Sequence, residues 1–341
     1  MIVLGIESSC DETAASVVRD GMSVLSSVVA TQIDVHHSFG GVVPELASRQ
    51  HLEAIVPVVT EALDTAGIGP EGIDGVAVTR GPGLVGALLV GYSFGKAFAL
   101  SRGIPWIGVD HLAGHLHSIF LGDHPPEYPY VALLASGGHT AIYYVKSPMD
   151  VEWMGQTRDD AAGEAYDKVS KMLGLGYPGG RVIDDLAHAA AEKNTVPVVT
   201  FPRPFLDKNG FDFSFSGLKS AVSRFISADP HTQPDVAEIA RAFQASVVDV
   251  LSCKLMHAAA VKSCRHVVLV GGVAANRGLR SRLSEDAEKA GRQFYVPPQH
   301  YCGDNAAMIA SLGYHYLNAG ITSPLLEDVY SRSPLRPPLQ C

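Results

Sequence analysis

The sequence predicts an α/β protein of two lobes, each opening with a β-hairpin. Three observations carry this reading. The chain has 341 residues, a length that favours two domains at roughly 100–200 residues each. Short apolar, β-prone runs alternate along it with stretches of helical periodicity. One pattern, an apolar run, a loop of small polar residues and a second β-prone run, opens the chain and returns near residue 130. Hydrophobic residues make up 47% and charged residues 18%, which is enough to fill a sizeable core.

Residues 2–6 form the first apolar run, ended by the polar turn Glu7, Ser8, Ser9, Cys10, Asp11 and Glu12. Residues 13–19 read as a returning strand, with Asp20 and Gly21 as the next turn. Residues 50–66 have helical periodicity through Leu52, Ile55, Val56, Val59 and Leu63. A strand at 75–79 runs into the turn Arg80, Gly81, Pro82, Gly83. The stretch 83–100 carries four glycines and is interrupted by Tyr92, Ser93 and Lys96, so it reads as a tightly packed helix and not a membrane span. A strand at 106–109 delivers Asp110 to the next helix. The opening pattern then recurs as the run 130–135, the loop Ser136, Gly137, Gly138, His139, and the run 140–145. Aligning Ser8 with Ser136 and Thr13 with Thr140 makes the second loop one residue shorter. A helix is expected over 161–173, a loop over 174–180, a strand over 266–270 ending at Gly271 and Gly272, and a helix opened by Asn276. A last helix starts at Asp304 and Asn305, and the proline-bearing tail from Ser323 is expected to be loose. The expected boundaries are an N-terminal lobe at 1–128, a C-terminal lobe at 129–303, a helix at 304–322 and a tail at 323–341.

The formal net charge of −9 argues against a wrapper of nucleic acid but leaves room for a local basic site. Residues 1–145 carry 5 basic and 14 acidic side chains, and the remainder carries 21 of each. Cations that could meet a polyanion therefore lie mostly in the second half. Five cysteines without a CxxC pair disfavour a disulfide framework or a cysteine zinc site. The N-terminus lacks a basic n-region and turns acidic at Glu7, unlike a signal peptide. A soluble, cytoplasmic protein is the expectation.

His111 and His115 are the sharpest chemical signal. On a helix, residues i and i+4 share a face, so two imidazoles can chelate one divalent ion, although two surface histidines are the commoner case. Here the pair follows a strand end, where α/β sites form. Glu7, Asp11, His139 and Asp304 are further potential ligands, and spacing does not choose among them. Residue 112 is Leu, so the glutamate of a zinc peptidase HExxH motif is absent and a metallopeptidase is disfavoured. The two hairpin loops, with Ser8, Ser9, Ser136, Gly137, Gly138 and His139, are candidate phosphate cradles as well as plain turns. Glu7, Asp11 and Glu12 could hold magnesium or be a solvated acidic turn. The second loop has no carboxylate to serve as a general base, which weakens a sugar-kinase reading. Glu164 with Lys168, and Asp167 with Lys171, fit i,i+4 ion pairs, while Asp167 could instead bind a ligand hydroxyl or amine. Between 201 and 224, Phe201, Phe205, Phe211, Phe213 and Phe215 interleave with Arg203, Lys208, Lys219 and Arg224. The alternating Phe211, Phe213 and Phe215 read as a strand face packed in a core; the cations, with Arg277, Arg280, Arg282 and Arg292, are RNA candidates.

Taken together, these segments resemble the bacterial tRNA N6-adenosine threonylcarbamoyltransferase family (TsaD), once regarded as glycoproteases. The matching pieces are 5–13, Gly81 to Gly83 around Pro82, His111 with His115, 136–140, 163–168, 177–180, 213–219, 271–276 and 304–306, in the family's order over most of the chain. The resemblance implies the two-lobed actin/Hsp70/sugar-kinase fold, with duplicated lobes around a nucleotide cleft and the last helix closing it. It implies that His111, His115 and Asp304 hold one divalent metal, iron or zinc. It further implies that Leu134, Ala135, Ser136, Gly137, Gly138, Asp167, Gly180, Asp184 and Asn276 contact threonylcarbamoyl-adenylate, with magnesium as a possible companion of the nucleotide. The implied reaction is attack by the exocyclic amine of the adenosine beside the anticodon on the activated carbonyl, expelling AMP. That needs no enzyme nucleophile, in keeping with the lack of a Ser/His/Asp or Cys/His constellation. The implied partners are tRNA, TsaB-like and TsaE-like proteins and a TsaC-type supplier of the adenylate. A nucleotide-binding regulatory or chaperone-like ATPase of the same fold is the alternative from another class.

Overall fold

The computed structural model describes residues 1–192, 199–205, 209–228, 235–333 and 335. The chain divides into two compact units. The first holds Met1–Pro125, Pro148–Asp150 and the chain from Pro297; the second holds Pro126–Ser147 and Val151–Val296. In the first unit β1 (Ile2–Glu7), β2 (Glu12–Arg19) and β3 (Ser23–Thr31) precede α1 (Ile33–His37) and α2 (Pro44–Ala66). β4 (Gly75–Gly81), α3 (Val85–Arg102), β5 (Trp106–Asp110) and α4 (His111–His117) follow. The second unit runs through β6 (Tyr130–Ala135), β7 (Thr140–Ser147), β8 (Asp150–Gln156), α5 (Ala162–Met172), α6 (Gly179–Glu192), α7 (Ser216–Ala228), α8 (Val236–Val261), β9 (His266–Val270), α9 (Arg277–Lys289) and β10 (Gln293–Tyr295). The chain then returns to the first unit with α10 (Ala306–Asn318).

Each unit is built on a five-stranded sheet, ordered β3-β2-β1-β4-β5 in the first and β8-β7-β6-β9-β10 in the second. β1 pairs antiparallel with β2 and parallel with β4, and β6 pairs antiparallel with β7 and parallel with β9. The repeated hairpin of the sequence is therefore a repeated sheet topology. By strand pairing the first loop runs from Glu7 to Ala14 and the second from Ala135 to Thr140. The second loop is thus two residues shorter, not the expected one, because Thr140 pairs across its hairpin while its aligned Thr13 pairs only with Ala30 on the other side.

The first sheet is covered on both faces, which is why its central strands read as continuous apolar runs. Leu4, Ile6, Ala15 and Val17 pack with Ile55, Val59, Leu63 and Tyr92 of α2 and α3. Val3, Val18, Ala77 and Ile107 pack with Ala307, Ile309 and Ala310 of α10. Gly5 lets α10 lie directly on β1, since a Cβ there would meet the Ala306 carbonyl and Ala310. In α3, Gly91 and Gly95 approach Ser8 and Val78 in the same way, so the glycine-rich stretch is the tightly packed helix expected. Among the described residues no helix is long and apolar enough to cross a membrane.

Several expectations are corrected. Residues 297–303 belong to the first unit, and α10 is part of that unit's core instead of a separate closing element. The tail is not loose over 323–333. Ser323 N bonds to the Trp106 carbonyl, Arg80 pairs with Glu327 at 2.7 Å, and Tyr330 N bonds to the Arg80 carbonyl. Leu52 and Val56 face outward, while His51 occupies the buried stripe of α2. Phe213 and Phe215 are fully buried and Phe211 half-buried, but their segment is extended with one isolated bridge, Thr157 to Phe213, and is not a strand. The loop 174–180 ends at Pro178, where Gly179 begins α6.

Asp160 of the second unit receives Lys168 and Lys219, one on each carboxylate oxygen, both at 2.7 Å. Partial burial raises its carboxyl, but the two ammonium groups outweigh that and hold it below the usual range. A carboxyl depressed by folding adds stability that is complete above its unfolded value, ~3.9, and is lost as pH falls through the folded value. Asp160→Asn is expected to lower Tm near neutral pH and to flatten its acid decline; thermal melts from about pH 6 to pH 2 check this.

Candidate functional site

The ends of β1, β4 and β5 and the start of α10 converge on one cluster in the first unit. Asp110 ends β5 and caps α4, accepting from Leu112 N and Ala113 N. This fixes the first turn of α4, which carries His111 and His115. Their rings lie 4.6 Å apart at 83°. Asn305 caps α10 through Met308 N and leaves Asp304 just outside the helix. Asp304 Oδ1 lies 3.0 Å from His115 Nε2 and 3.6 Å from His111 Nε2. The three ligand atoms all fall within 4.8 Å of one another. Ligands at about 2.0–2.2 Å from one ion are separated by about 3–3.5 Å, so this donor set suits a divalent metal.

Glu7 orients the site. Its carboxylate is fully buried and accepts from Ser9 N at 2.5 Å, Thr79 Oγ1 at 2.5 Å and His111 Nδ1 at 2.9 Å. With His111 Nδ1 on Glu7, Nε2 faces Asp304, the carboxylate–histidine arrangement found behind metal ligands. Burial raises the Glu7 carboxyl, but His111 more than offsets it and the group lies below its ordinary range. Burial by itself lowers the His111 imidazole, and Glu7 and Asp304 outweigh it, carrying the group up to about 9. Glu12 is pushed up to about 9 by burial, then by Asp304 and Asp11. So many carboxylates around two imidazoles call for a cation. Cys10 is no nucleophile here, because burial, then Asp11 and Asp304, push its thiol far up.

The first loop is closed. Ser8 Oγ donates to the Ala87 carbonyl at 3.0 Å, and Ser9 N is engaged by Glu7. Ser8 and Ser9 are buried, with Asp11 and Glu12 half-buried at the rim. His51, overlooked in the sequence, holds this loop through Thr13 Oγ1 at 2.7 Å and the Cys10 carbonyl at 3.0 Å. Its signal was its place in the buried stripe Ala47, His51, Ile55. Thr79 had no sequence signal beyond its strand.

The second unit's loop is open. A Cβ at Gly137, Gly138, Gly180 or Gly272 would meet nothing within 4 Å. Ser136 N bonds to the His139 carbonyl at 2.8 Å, and Gly163 N to the Ser136 carbonyl at 3.1 Å, which seats the start of α5 against the loop. Asp167 accepts from Gly179 N at 2.7 Å and holds the start of α6. Leu134 and Ala135 are fully buried strand residues that carry the loop, so their side chains are core. Asp184 accepts from Gln244 Nε2 at 3.0 Å and Arg277 Nε at 2.8 Å, and Asn276 Nδ2 donates to Gln244 Oε1 at 2.8 Å. Gln244, also overlooked, thus joins two residues singled out in the sequence; a lone amide in the apolar helix α8 was its signal.

Four of the eight cations named as RNA candidates are ion-paired within the second unit. Arg203 and Arg282 meet Asp249, Arg282 also meets Asp286, Lys219 meets Asp160, and Arg277 meets Asp184 and Asp185. Arg280 and Arg292 donate to the Ala274 and Cys264 carbonyls, Arg224 is exposed, and Lys208 lies outside the described residues.

A family model described as "TsaD: tRNA N6-adenosine threonylcarbamoyltransferase" matches residues 23–311. A protein of Desulforapulum autotrophicum named tRNA N6-adenosine threonylcarbamoyltransferase is 58% identical over 334 residues, covering 98% of this chain and 99% of that protein. Proteins of the same name from Desulfotalea psychrophila and Syntrophus aciditrophicus are 52% and 50% identical, each covering 98% of both chains. Among solved structures, component A of the Acidaminococcus fermentans (R)-2-hydroxyglutaryl-CoA dehydratase superposes with a TM-score of 0.55 at 16% identity, covering 93% of this chain and 99% of that one. Full-length HypF in a phosphate- and nucleotide-bound form superposes with a TM-score of 0.61 at 13% identity, covering 93% of this chain and 46% of that one. At these identities the likeness shows the fold, that of the actin/Hsp70/sugar-kinase class.

His111→Ala and Asp304→Ala are each expected to abolish retention of a divalent metal, and Glu7→Gln to weaken it on the order of tenfold. Elemental analysis after dialysis and chelator competition check both.

Proposed function

This chain belongs to the TsaD family of tRNA N6-adenosine threonylcarbamoyltransferases, and from that premise we propose that it transfers the threonylcarbamoyl group of threonylcarbamoyl-adenylate to tRNA. The acceptor is N6 of the adenosine immediately 3′ of the anticodon, in tRNAs reading codons that begin with A. The new bond joins N6 to the carbamoyl carbon. The bond from that carbon to the adenylate phosphate oxygen breaks, AMP leaves with the electron pair, and N6 gives up one proton. The observation that carries the reading is the convergence of His111, His115 and Asp304 in a chain of this family.

In this reading His111, His115 and Asp304 hold one divalent ion, iron or zinc. Once bound, that ion supplies Lewis-acid polarisation and a template for substrate oxygens. Glu7 and Thr79 fix the His111 ring. In the second unit the N–H groups of Gly137 and Gly138 donate to anionic oxygens, for which the open space beside the two glycines is the support, while Ser136, its own N–H held by the His139 carbonyl, shapes the loop. Asp167, Asp184 and Asn276 offer two carboxylates and an amide to hydroxyls and a base edge, and Gly180 leaves room for a ring. Burial pushes the Cys10 thiol up, which makes it a poor nucleophile and is in keeping with direct passage of the acyl group between substrates. Magnesium accompanies the nucleotide. The enzyme works in the cytoplasm with TsaB-like and TsaE-like proteins and receives the adenylate from a TsaC-type enzyme.

Supplying the metallated protein and its partners with unmodified tRNA and threonylcarbamoyl-adenylate is expected to yield threonylcarbamoyladenosine and AMP in equal amounts. Nucleoside chromatography with mass detection checks this; tRNA left unmodified in the complete mixture would refute the reading.

A further inference from the structure

We propose that Asp110, clamped by Tyr330 and Ser333, is a positioning residue for the histidine pair, so that the C-terminal segment of this chain sets the strength of its metal centre. The inference rests on the reading that His111, His115 and Asp304 hold the ion.

Four donors converge on the Asp110 carboxylate. Oδ1 accepts from Leu112 N at 2.9 Å and Ala113 N at 3.0 Å, and Oδ2 accepts from Tyr330 OH and Ser333 Oγ, both at 2.7 Å. The two oxygens offer about four lone-pair sites, so the group is fully engaged and its orientation fixed. One oxygen belongs to α4 and the other to the tail. α4 spans only His111–His117, too short to be stable by itself, so its cap and its packing decide its orientation. Turning α4 about its first turn would move both imidazoles together.

The other end of the clamp is itself anchored. Ser323 N donates to the Trp106 carbonyl, and Gly108 N donates to Ser323 Oγ at 2.9 Å, seating the segment along β5. Lys96 Nζ donates to the Leu325 and Glu327 carbonyls at 2.9 and 3.0 Å. The Arg80 guanidinium lies 5.1 Å from the Tyr330 ring centroid. Gly81 faces the same residue, where a Cβ would strike the Tyr330 carbonyl and ring. The segment continues from α10, whose N-terminal side carries Asp304. One stretch of chain therefore supplies the third ligand directly and, after α10, returns to hold the helix bearing the other two.

The test measures zinc affinity by chelator competition, Tm, and kcat and KM for tRNA in the full chain with its partners. The double variant Tyr330→Phe, Ser333→Ala is expected to bind zinc on the order of tenfold more weakly, to lose kcat and to keep its KM. Each single variant should fall between. Asp160→Asn, in the second unit and away from the segment, should lower Tm while leaving zinc affinity as it was. Wild-type zinc affinity in the double variant, with metal lost in His111→Ala, overturns the clamp and spares the metal reading. Equal weakening by Asp160→Asn would also overturn it, since the effect would then be general loosening. Metal retained by His111→Ala overturns the metal reading and the clamp together.

Discussion

The Glu7 carboxylate sits at the end of the central strand of the first sheet, without exposure to water, and three separate parts of the unit bond to it. Ser9 N comes from the hairpin loop, Thr79 from β4 and His111 from α4. A buried carboxylate is costly unless its oxygens are satisfied and a cation is near. Satisfying Glu7 therefore fixes the path of the loop, the register of β4 beside β1, and the rotation of the His111 ring in one step. The geometry of the candidate metal site follows from that constraint, because a histidine whose Nδ1 faces Glu7 has only Nε2 left to turn toward Asp304. Asp304 then arrives on a helix that Gly5 allows to lie flat on β1.

The two sheets share a topology, and their hairpin loops have diverged into different work. In the first, Ser8, Ser9 and Glu7 turn inward and close the loop onto α3 and α4. In the second, Gly137 and Gly138 stand open and the carboxylate is missing. A duplicated element offers two copies of one backbone, and the side chains decide whether its amides face a protein group or a ligand. The same distinction bears on charge. The second unit holds most of the chain's cations, but Arg203, Lys219, Arg277 and Arg282 neutralise neighbouring carboxylates. Counting basic residues overstated the charge available to a polyanion, since an arginine held by two acids presents little net field.

Much of the site was legible in the residues themselves. The i,i+4 histidines, the apolar strands ending in small polar loops and the return of the opening pattern follow from local periodicity, which a sequence states directly. Helix starts at Asn276 and Asn305 were likewise local, because a capping side chain bonds within its own turn. The carboxylate that joins the two imidazoles was not. Asp304 lies 189 residues from His115, and spacing left it equal to Glu7, Asp11 and His139 until the family resemblance chose it.

What the sequence determined alone was β1, β2, β4 to β7, β9, the helices α2 to α5, α9 and α10, their order, the duplication and the helix that pairs two imidazoles. β3, β8, β10 and α6 to α8 were not read from it. The elements that were read depend on side chains a few residues apart. Tertiary structure decided that Glu7 bonds to His111 Nδ1, and that His51 and not Leu52 lies in the core. It also decided that the tail returns to Asp110. Each of those is a contact between segments distant in the chain, where the choice of partner depends on which buried polar group has no other donor within reach.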